Sequence, residues 1–487
     1  MNFIGLDLGT SALKGLLVDE KGKILKEARE EYALYSPYTG WSEQNPEDWL
    51  SAAKKVISAL SAGLESSVAG ISVGGQMHGL VILDGCDRVI RPCILWNDGR
   101  TAAQTEYLNS AVGTEKLISA TGNIAFAGFT APKLLWLKEH EPHSFARIKK
   151  IMLPKDYLIY NLCGAFVTDY SDASGTLLLD VKNKAWSHEM LKICGITEEQ
   201  LPKLCESFAP VGMVRKEYGL PRTVVAAGAG DNAAAAVGTG CVNDGDCNIS
   251  LGTSGTLFLC RNTFSSFGEK LHSFAHANGK FHLMGCILSA ASANRWWTED
   301  ILRSDYSAAE KLSPLLGKND IYFLPYLSGE RSPHNDVNAR GAFIGLTHAA
   351  GREQLTLAVY EGVAFALKDC AVAAESRGVS IDGATVCGGG AKSALWRKIL
   401  ANVLGVKIST VETEQGPSYG AAMLAMVAAG AYKTVEEAAA GIVRRTAAVL
   451  PDPALTERYQ LKYKNFARLY PALKGPFSEI YAVGSKL

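Results

Sequence analysis

The strongest constraint on the fold is a short motif that occurs twice, half a chain length apart. Residues 4–11 read Ile-Gly-Leu-Asp-Leu-Gly-Thr-Ser, and residues 248–254 read Asn-Ile-Ser-Leu-Gly-Thr-Ser. In both copies an apolar strand runs into a Gly-Thr-Ser turn, and a second apolar strand follows. A repeat at half-length predicts two domains of one fold, each presenting one such turn. We place the division near residue 245, which gives domains 1–244 and 245–487, the second with a helical tail from about residue 433.

The surrounding pattern predicts an α/β fold. Strands are expected at residues 3–8, 13–19 and 24–31, then a helix that starts at Pro46 and continues through Leu60, then a strand at 70–73. The same pattern of elements starts again at residues 224–227, where a short strand precedes an alanine-rich helix. Strands that alternate with helices favour mixed sheets, and 487 residues exceed what one core accommodates.

Composition excludes several classes of function. The chain has 49 Lys plus Arg and 49 Asp plus Glu, so it offers no basic field for a nucleic acid. Its 11 cysteines are irregularly spaced and form no Cys-x-x-Cys pair, which argues against disulfides or a zinc site. Neither a membrane span nor a secretion signal is visible, so we expect a cytoplasmic protein.

The two Gly-Thr-Ser turns suit an anionic ligand. Each offers consecutive backbone N–H groups and two hydroxyls to a negatively charged oxygen. A single turn could merely satisfy its own hydrogen bonds, but two matching turns favour a pair of phosphate clamps that face one cleft. The predicted phosphate-binding residues are Thr10, Ser11 and Lys14 around the first turn, and Gly252, Thr253 and Ser254 in the second.

Asp7, just before the first turn, predicts a metal ion. A carboxylate would repel a phosphate unless a cation lay between them, and Mg²⁺ bound mostly through its own water would serve. The alternative is that Asp7 only satisfies the turn.

A third glycine-rich turn occupies residues 387–391, after a short strand and before a helix that starts near Ser393. Backbone N–H groups and a positive helix end suit an adenosine or its α-phosphate, with Gly389, Gly390 and Ser393 as the binding residues. The alternative is a tight strand-to-helix connection.

Three further segments carry candidates for contacts with a polyhydroxylated substrate. Asp231 follows Gly-Ala-Gly at the start of a helix, where it would either cap the helix or accept a proton from a substrate hydroxyl. The other candidates are Gln76, Met77 and His78 after one strand, Asp98 in a polar loop, and Asn232 beside the acid. His78 and Asp98 carry weight only if their two loops converge.

Taken together, these motifs resemble the FGGY carbohydrate kinases, which have two actin/hexokinase-like (ribonuclease H-like) domains and an active site in the cleft between them. Residues 128–140 fit the family's first signature, and residues 341–361 fit its second. The resemblance runs from residue 3 to about residue 430. It implies ATP and Mg²⁺ as cofactors, Asp231 as the general base, Asp7 as the residue that organises Mg²⁺, and a small sugar as the substrate.

Within the family, four loops are similar to the members that phosphorylate D-xylulose. They lie at residues 75–79, 94–100, 153–157 and 324–331. By this resemblance Met77, His78, Asp98 and Asn232 contact the sugar. Ala229 departs from the pattern, because a third glycine is frequent there. Rival interpretations are a kinase for ribulose, fuculose or a deoxy-ketose, an actin- or Hsp70-like ATPase switch, and a sugar-binding regulator with a decayed site. A homodimer is expected from the family alone.

Overall fold

The computed structural model describes residues 1–484, and each half of the chain is built around one mixed β-sheet. The strands of the first half are β1 (Asn2–Leu8), β2 (Ala12–Asp19), β3 (Ile24–Glu31), β4 (Glu43–Gln44), β5 (Val68–Gly75), β6 (Val81–Leu83), β7 (Cys93–Ile94), β8 (Lys150–Met152), β9 (Val167–Asp169), β10 (Leu179–Asp180), β11 (Ala185–Trp186), β12 (Lys203–Cys205), β13 (Pro210–Met213), β14 (Val224–Ala226) and β15 (Ala229–Gly230). Its helices are α1 (Pro46–Ser61), α2 (Ala102–Glu106), α3 (Thr114–Thr121), α4 (Thr130–His140), α5 (Pro142–Ala146), α6 (Pro154–Cys163), α7 (Tyr170–Ala173), α8 (His188–Cys194) and α9 (Asp231–Gly238).

The second half begins directly after α9. Its strands are β16 (Cys247–Leu251), β17 (Gly255–Arg261), β18 (His272–Ala275), β19 (Phe281–Ile287), β20 (Tyr322–Leu324), β21 (Ala342–Ile344), β22 (Gly383–Cys387) and β23 (Lys407–Ser409). Its helices are α10 (Ala291–Arg295), α11 (Ser307–Glu310), α12 (Arg352–Glu375), α13 (Ala394–Leu404), α14 (Gly416–Ala428), α15 (Val435–Ile442) and α16 (Pro453–Gly484). Short 3₁₀ or π-helical turns connect several of these elements.

The two large sheets repeat one strand order. The first runs β14-β5-β1-β2-β3, with β13 added at one edge, and the second runs β23-β22-β16-β17-β19, with β18 at the other edge. In each, the central strand pairs antiparallel with the next strand of the chain and parallel with a later one. The predicted two-domain α/β architecture with duplicated strand-turn-strand units is therefore confirmed.

Equivalent positions in the two copies of the duplicated unit carry chemically different side chains. At the end of β1, Asp7 lies opposite Lys14 on β2 and beside Gly74 on β5. At the same point of β16, Ser250 lies opposite Thr256 and beside Cys387. The first copy therefore presents a charged pair and the second a neutral hydroxyl.

Helix α14 belongs to the second half of the sequence but packs on the sheet of the first half, against β1, β5 and α9. The approach is close enough to require glycine. A Cβ at Gly5 would lie 1.9 Å from the Ser418 carbonyl oxygen, and a Cβ at Gly420 would lie 1.8 Å from that of Ala234. A division of the sequence near residue 245 does not describe this helix, which joins the two halves at the base of the cleft.

Helices pack against both large sheets. The first sheet packs on one face against α1 and α6, and on the other against α9 and α14. The second packs against α12, which in turn contacts α13 and α16. Helix α1 starts at the predicted residue, because Asn45 accepts a hydrogen bond from the Glu47 N–H and Pro46 fits the first turn. Across residues 1–484, no helix is both long enough and apolar enough to cross a bilayer.

Candidate active site

A cavity of about 220 Å³ separates the two halves where the equivalent strands end. Asp231 and Asn232, at the start of α9, line one side of it. Ser250 of β16 and Gly388, after β22, line the other, and Glu414 closes one end. The cleft expected between two look-alike halves is therefore present, and the carboxylate of Asp231 is one of its walls.

Asp7 and Asp231 form an electrostatically coupled pair beside this cleft. Burial raises the pKa of Asp231 to about 6, against which two hydrogen bonds from the Asn232 backbone and side chain favour the charged form. Burial also raises the pKa of Asp7 to about 7; the charge of Asp231 adds to this rise, and the Lys14 ammonium opposes it. The site therefore holds an excess of negative charge that a cation would relieve.

The first Gly-Thr-Ser turn is tied to the loop that follows β5. The Thr10 hydroxyl donates to Gln76 Oε1 at 3.2 Å and accepts from Trp96 Nε1 at 3.1 Å. The Gln76 amide nitrogen donates to Gln44 Oε1 at 2.9 Å, and the Gln44 amide nitrogen donates to the Thr10 carbonyl at 2.5 Å. Because Gln76 is only 2% exposed and both its polar atoms are engaged, it links the two loops in this structure rather than offering a free amide to a sugar.

His78 is held in an unusual backbone conformation in the loop that follows β5. Its φ is 71°, and its Nδ1 lies 2.8 Å from the Gly175 carbonyl, so Nδ1 carries the proton and Nε2 is the acceptor. Burial keeps the pKa of His78 well below its ordinary value, so the ring is neutral near pH 7. Met77 packs against Gly230, the residue before Asp231. The structure thus brings His78 and Met77 together with the acid at residue 231.

Asp98 does not reach the cleft. Its side chain is 0% exposed, and Arg100 pairs with it through Nε and Nη2 at 2.8 and 2.7 Å. The Ser42 N–H donates to the same carboxylate at 2.6 Å, while Arg100 also pairs with Glu43 at 2.7 Å. This differs from the expected sugar contact. The short Asp-Gly-Arg spacing lets the guanidinium turn back onto the acid, and the pair is a structural element of the loop.

A larger pocket of about 530 Å³ opens beside the second Gly-Thr-Ser turn and the third glycine turn. The predicted residues Thr253, Gly389, Gly390 and Ser393 line it. Aromatic and charged side chains from α10 to α13 complete the wall; they include Arg295, Tyr306, Glu310, Tyr360 and Trp396. An apolar slot with a few polar groups, next to two phosphate-type turns, has the dimensions and chemistry for a nucleoside.

The third glycine turn owes its shape to close packing. Gly388 has a φ of 85°, and its N–H donates to the Glu414 carboxylate. A Cβ at Gly390 would lie 2.9 Å from the Trp396 ring. Ser393 acts as the cap of α13, because its hydroxyl accepts from the Trp396 N–H at 3.1 Å. The turn is therefore a tight strand-to-helix connection that also borders the pocket. That it binds an adenosine or its α-phosphate stays a prediction.

The remaining predicted residues lie at the rim. Lys14 is exposed and shares a groove of about 550 Å³ with Asp7. Ser11 is exposed at the tip of the first turn, and Ser254 is half-buried in the second. The carbonyl of Gly252 accepts from the Ala291 N–H at 2.8 Å, which fixes the second turn to the start of α10.

Sequence reasoning did not assign the aromatic wall of the nucleoside-sized pocket. Tyr360 lies in the second family signature, and Trp396 follows the third glycine turn by a few residues, so both stood inside segments already singled out. Their position in or beside these motifs could have identified them as pocket residues. No sequence motif marks Arg295, at the end of α10, or Tyr306 and Glu310, which lie just before and at the end of α11.

Two family models match the chain, one for each half. The model for the N-terminal domain of the FGGY family of carbohydrate kinases matches residues 2–238, and the model for its C-terminal domain matches residues 247–429. The chain belongs to this family and is a carbohydrate kinase, so it transfers a phosphoryl group to a sugar.

Individual members of the family are similar to this chain over nearly its whole length. The xylulose kinase of Escherichia coli (strain K12) is 40% identical, and the alignment covers 97% of this chain and 99% of the relative. A crystal structure of a xyloylose kinase from Brucella ovis superposes with a TM-score of 0.93 at 41% identity, over 98% of this chain and 100% of that one. A gluconate kinase from Lactobacillus acidophilus also superposes with a TM-score of 0.93, at 27% identity, over 98% of this chain and 99% of that one.

Proposed function

We propose that this carbohydrate kinase transfers the γ-phosphoryl group of ATP to the terminal hydroxyl of D-xylulose, giving ADP and D-xylulose 5-phosphate. The observation that carries the proposal is the position of Asp231. It lines the cleft together with Gly388 of the third glycine turn, and Gly230 just before it pairs with Gly75, where the His78 loop begins. Its pKa of about 6 keeps it ionised at neutral pH. The names of the relatives at about 40% identity point to xylulose as the sugar.

The sugar is assigned to the first half of the chain. The neutral His78 offers Nε2 as an acceptor for a hydroxyl, Asn232 offers its amide, and Met77 supplies an apolar contact beside Gly230. Trp96, which is 40% exposed and donates to Thr10, places an aromatic ring beside the first Gly-Thr-Ser turn. Directional polar groups with an apolar face are what a polyhydroxylated ligand requires.

The nucleotide is assigned to the second half. The adenosine would occupy the 530 Å³ pocket, with its phosphates running past the third glycine turn toward Thr253 and Thr10. Consecutive N–H groups and hydroxyls at these turns would steady the charge on the transferring group.

Asp231 acts as the general base. It orients the terminal hydroxyl and takes its proton as the oxygen attacks phosphorus, a role worth roughly 10²–10⁴ in rate. The pKa of about 6 suits this task, because the carboxylate is ionised at pH 7 yet more basic than an exposed aspartate.

The carboxylate of Asp7 fits a magnesium ion. Burial and the neighbouring Asp231 charge raise its pKa to about 7, so a cation beside the carboxylate would stabilise its ionised form. Mg²⁺ held there through water would neutralise charge on the β- and γ-phosphates.

The direct test is ADP release measured in a coupled assay with D-xylulose, D-ribulose, L-fuculose, a deoxy-ketose, D-gluconate and a sugar-free blank. The proposal expects the highest kcat/KM with D-xylulose and little release in the blank. Gluconate belongs in the panel because a gluconate kinase is among the similar structures. A higher kcat/KM for any other sugar would reassign the substrate, and full release without sugar would favour an ATPase switch.

Asp231→Asn, with Asp382→Asn as the matched control, tests the base. Asp382 is exposed and lies at the opposite end of β22 from Gly388. The first variant should lose most turnover and keep ATP binding, and the control should retain both.

A further inference from the structure

The first family signature, residues 128–140, has no part in the chemistry described so far. Its helix α4 carries Lys133, which is 0% exposed. The Lys133 ammonium donates to the His78 carbonyl at 2.8 Å and to the Gly128 carbonyl at 2.7 Å. This lysine therefore contacts the backbone of the residue that we assign to the sugar.

Burying a lysine for two carbonyl oxygens is costly. Within residues 1–484, Lys133 forms no salt bridge. Burial lowers the pKa of its ammonium to about 7, although the nearby charge of Asp98 opposes that shift. A buried charge without a carboxylate partner usually gives less stability than an apolar side chain of similar size. Stability alone therefore does not account for Lys133, and the two carbonyls it binds indicate what it is for.

The His78 backbone is what these bonds hold. A φ of 71° is uncommon for any residue other than glycine and persists only when the surroundings impose it. The Thr130 hydroxyl, one turn earlier on α4, donates to the same carbonyl at 3.1 Å. One helix thus supplies two donors to the carbonyl of the strained residue.

The His78 ring is held by other elements. Its Nδ1 bonds the Gly175 carbonyl, its ring lies 4.7 Å from that of Phe129, and a Cβ at Gly175 would come within 2.3 Å of the ring. Both the backbone and the ring are therefore fixed, and within residues 1–484 Nε2 is left without a protein partner. This is the arrangement of a pre-organised ligand contact.

We propose that Lys133, supported by Thr130, is a positioning residue that holds His78 in the conformation that binds the sugar. The proposal rests on the sugar contact assigned to His78 above. It gives the signature lysine a role in sugar affinity and none in the phosphoryl-transfer step.

The test uses Lys133→Met, which keeps the length of the side chain and removes its donors. The KM for D-xylulose should rise about 5–30-fold, the loss expected for one or two kcal/mol of positioning energy. The KM for ATP and the kcat at saturating sugar should change little. Leu134→Met, the neighbouring and equally buried position on α4, is the matched control and should leave all three constants unchanged. Equal losses in kcat and in both KM values would indicate a merely structural lysine and overturn the proposal.

A double-mutant cycle with His78→Ala separates this proposal from the sugar assignment. If the pair acts as one unit, Lys133→Met should add little to the sugar KM once the imidazole is absent. Additive effects, or a sugar KM that rises in His78→Ala but not in Lys133→Met, would overturn the role of Lys133 and leave the sugar contact intact. An unchanged sugar KM in His78→Ala would instead overturn the contact itself.

Thr130→Val keeps the test decisive if Lys133→Met does not fold. It removes one donor to the His78 carbonyl and retains the lysine, so it should raise the sugar KM in the same direction by a smaller factor. Calorimetric titration with D-xylulose checks the affinity directly. A sugar affinity equal to that of the wild type in Thr130→Val would contradict the proposal.

Discussion

Replacing Asp231 by asparagine should make the protein more stable and far less active. The change is isosteric, and an asparagine oxygen can still accept the two hydrogen bonds that Asn232 donates. Turnover should fall by roughly 10²–10⁴, because no carboxylate remains to take the proton. Stability should change in the opposite direction, because the ionised form is disfavoured by burial.

The stability gain can be worked out from the pKa. Folding raises the pKa of Asp231 from 3.8 to about 6, which at about 1.4 kcal/mol for each tenfold change amounts to at most about 3 kcal/mol. Since the folded pKa lies above the unfolded one, the wild type loses this stability as pH rises from about 4 to about 6 and gains none back above it. The variant lacks this loss.

Urea unfolding of both proteins at several pH values measures the difference. The two curves should nearly coincide at about pH 4, separate between about pH 4 and 6, and stay apart by up to about 3 kcal/mol above that. The kcat/KM of the wild type should fall tenfold for each pH unit below about 6. A variant that is less stable than the wild type at pH 7 would refute the burial argument, and near-normal turnover would refute the assignment of the base.

Three further changes test other parts of the site. Because a proton competes with Mg²⁺ for the carboxylate of Asp7, the Mg²⁺ concentration for half-maximal activity should rise below about pH 7, and Asp7→Ala should abolish that pH dependence; an unchanged Mg²⁺ titration would contradict this. Gly390→Ala should raise the KM for ATP severalfold because its Cβ meets an indole at 2.9 Å, whereas Gly389→Ala, with nothing within 4 Å, should not; equal effects would argue against the pocket. Arg100→Met should cost about 3–5 kcal/mol in urea unfolding by leaving Asp98 buried and unpaired, and a smaller loss would show that water reaches the carboxylate.

Local patterns in the sequence were sufficient for the framework. The two Gly-Thr-Ser turns, the strands beside them and the start of α1 depend on residues close together in the chain, and the structure has them where they were expected. The duplicated strand order followed from the repeat itself. The loops of His78 and Asp231 start side by side, because β15 pairs with the end of β5.

Side-chain directions were not available from the same patterns. The sequence located the loop of Asp98, but the turn of Arg100 back onto it depends on packing against Trp41, whose ring lies 3.5 Å from the guanidinium carbon. The nucleoside-sized pocket is assembled from helices whose contacts are distant in sequence. Lys133 could be placed in a family signature from the sequence. Its hydrogen bond to the His78 carbonyl, and the strained φ of that residue, are visible only in the structure.

Helix α14 has a consequence for how the chain is made. The strands of the first sheet are complete once residue 230 has been synthesised, yet the face formed by Phe3, Leu16 and Val18 is covered by Ala422, Met423 and Met426. While the ribosome translates the intervening residues, that apolar face is not yet covered by α14 and is prone to aggregation. A fragment that stops at residue 244 should therefore precipitate rather than fold, and supplying residues 416–428 on a separate chain would be the way to rescue it.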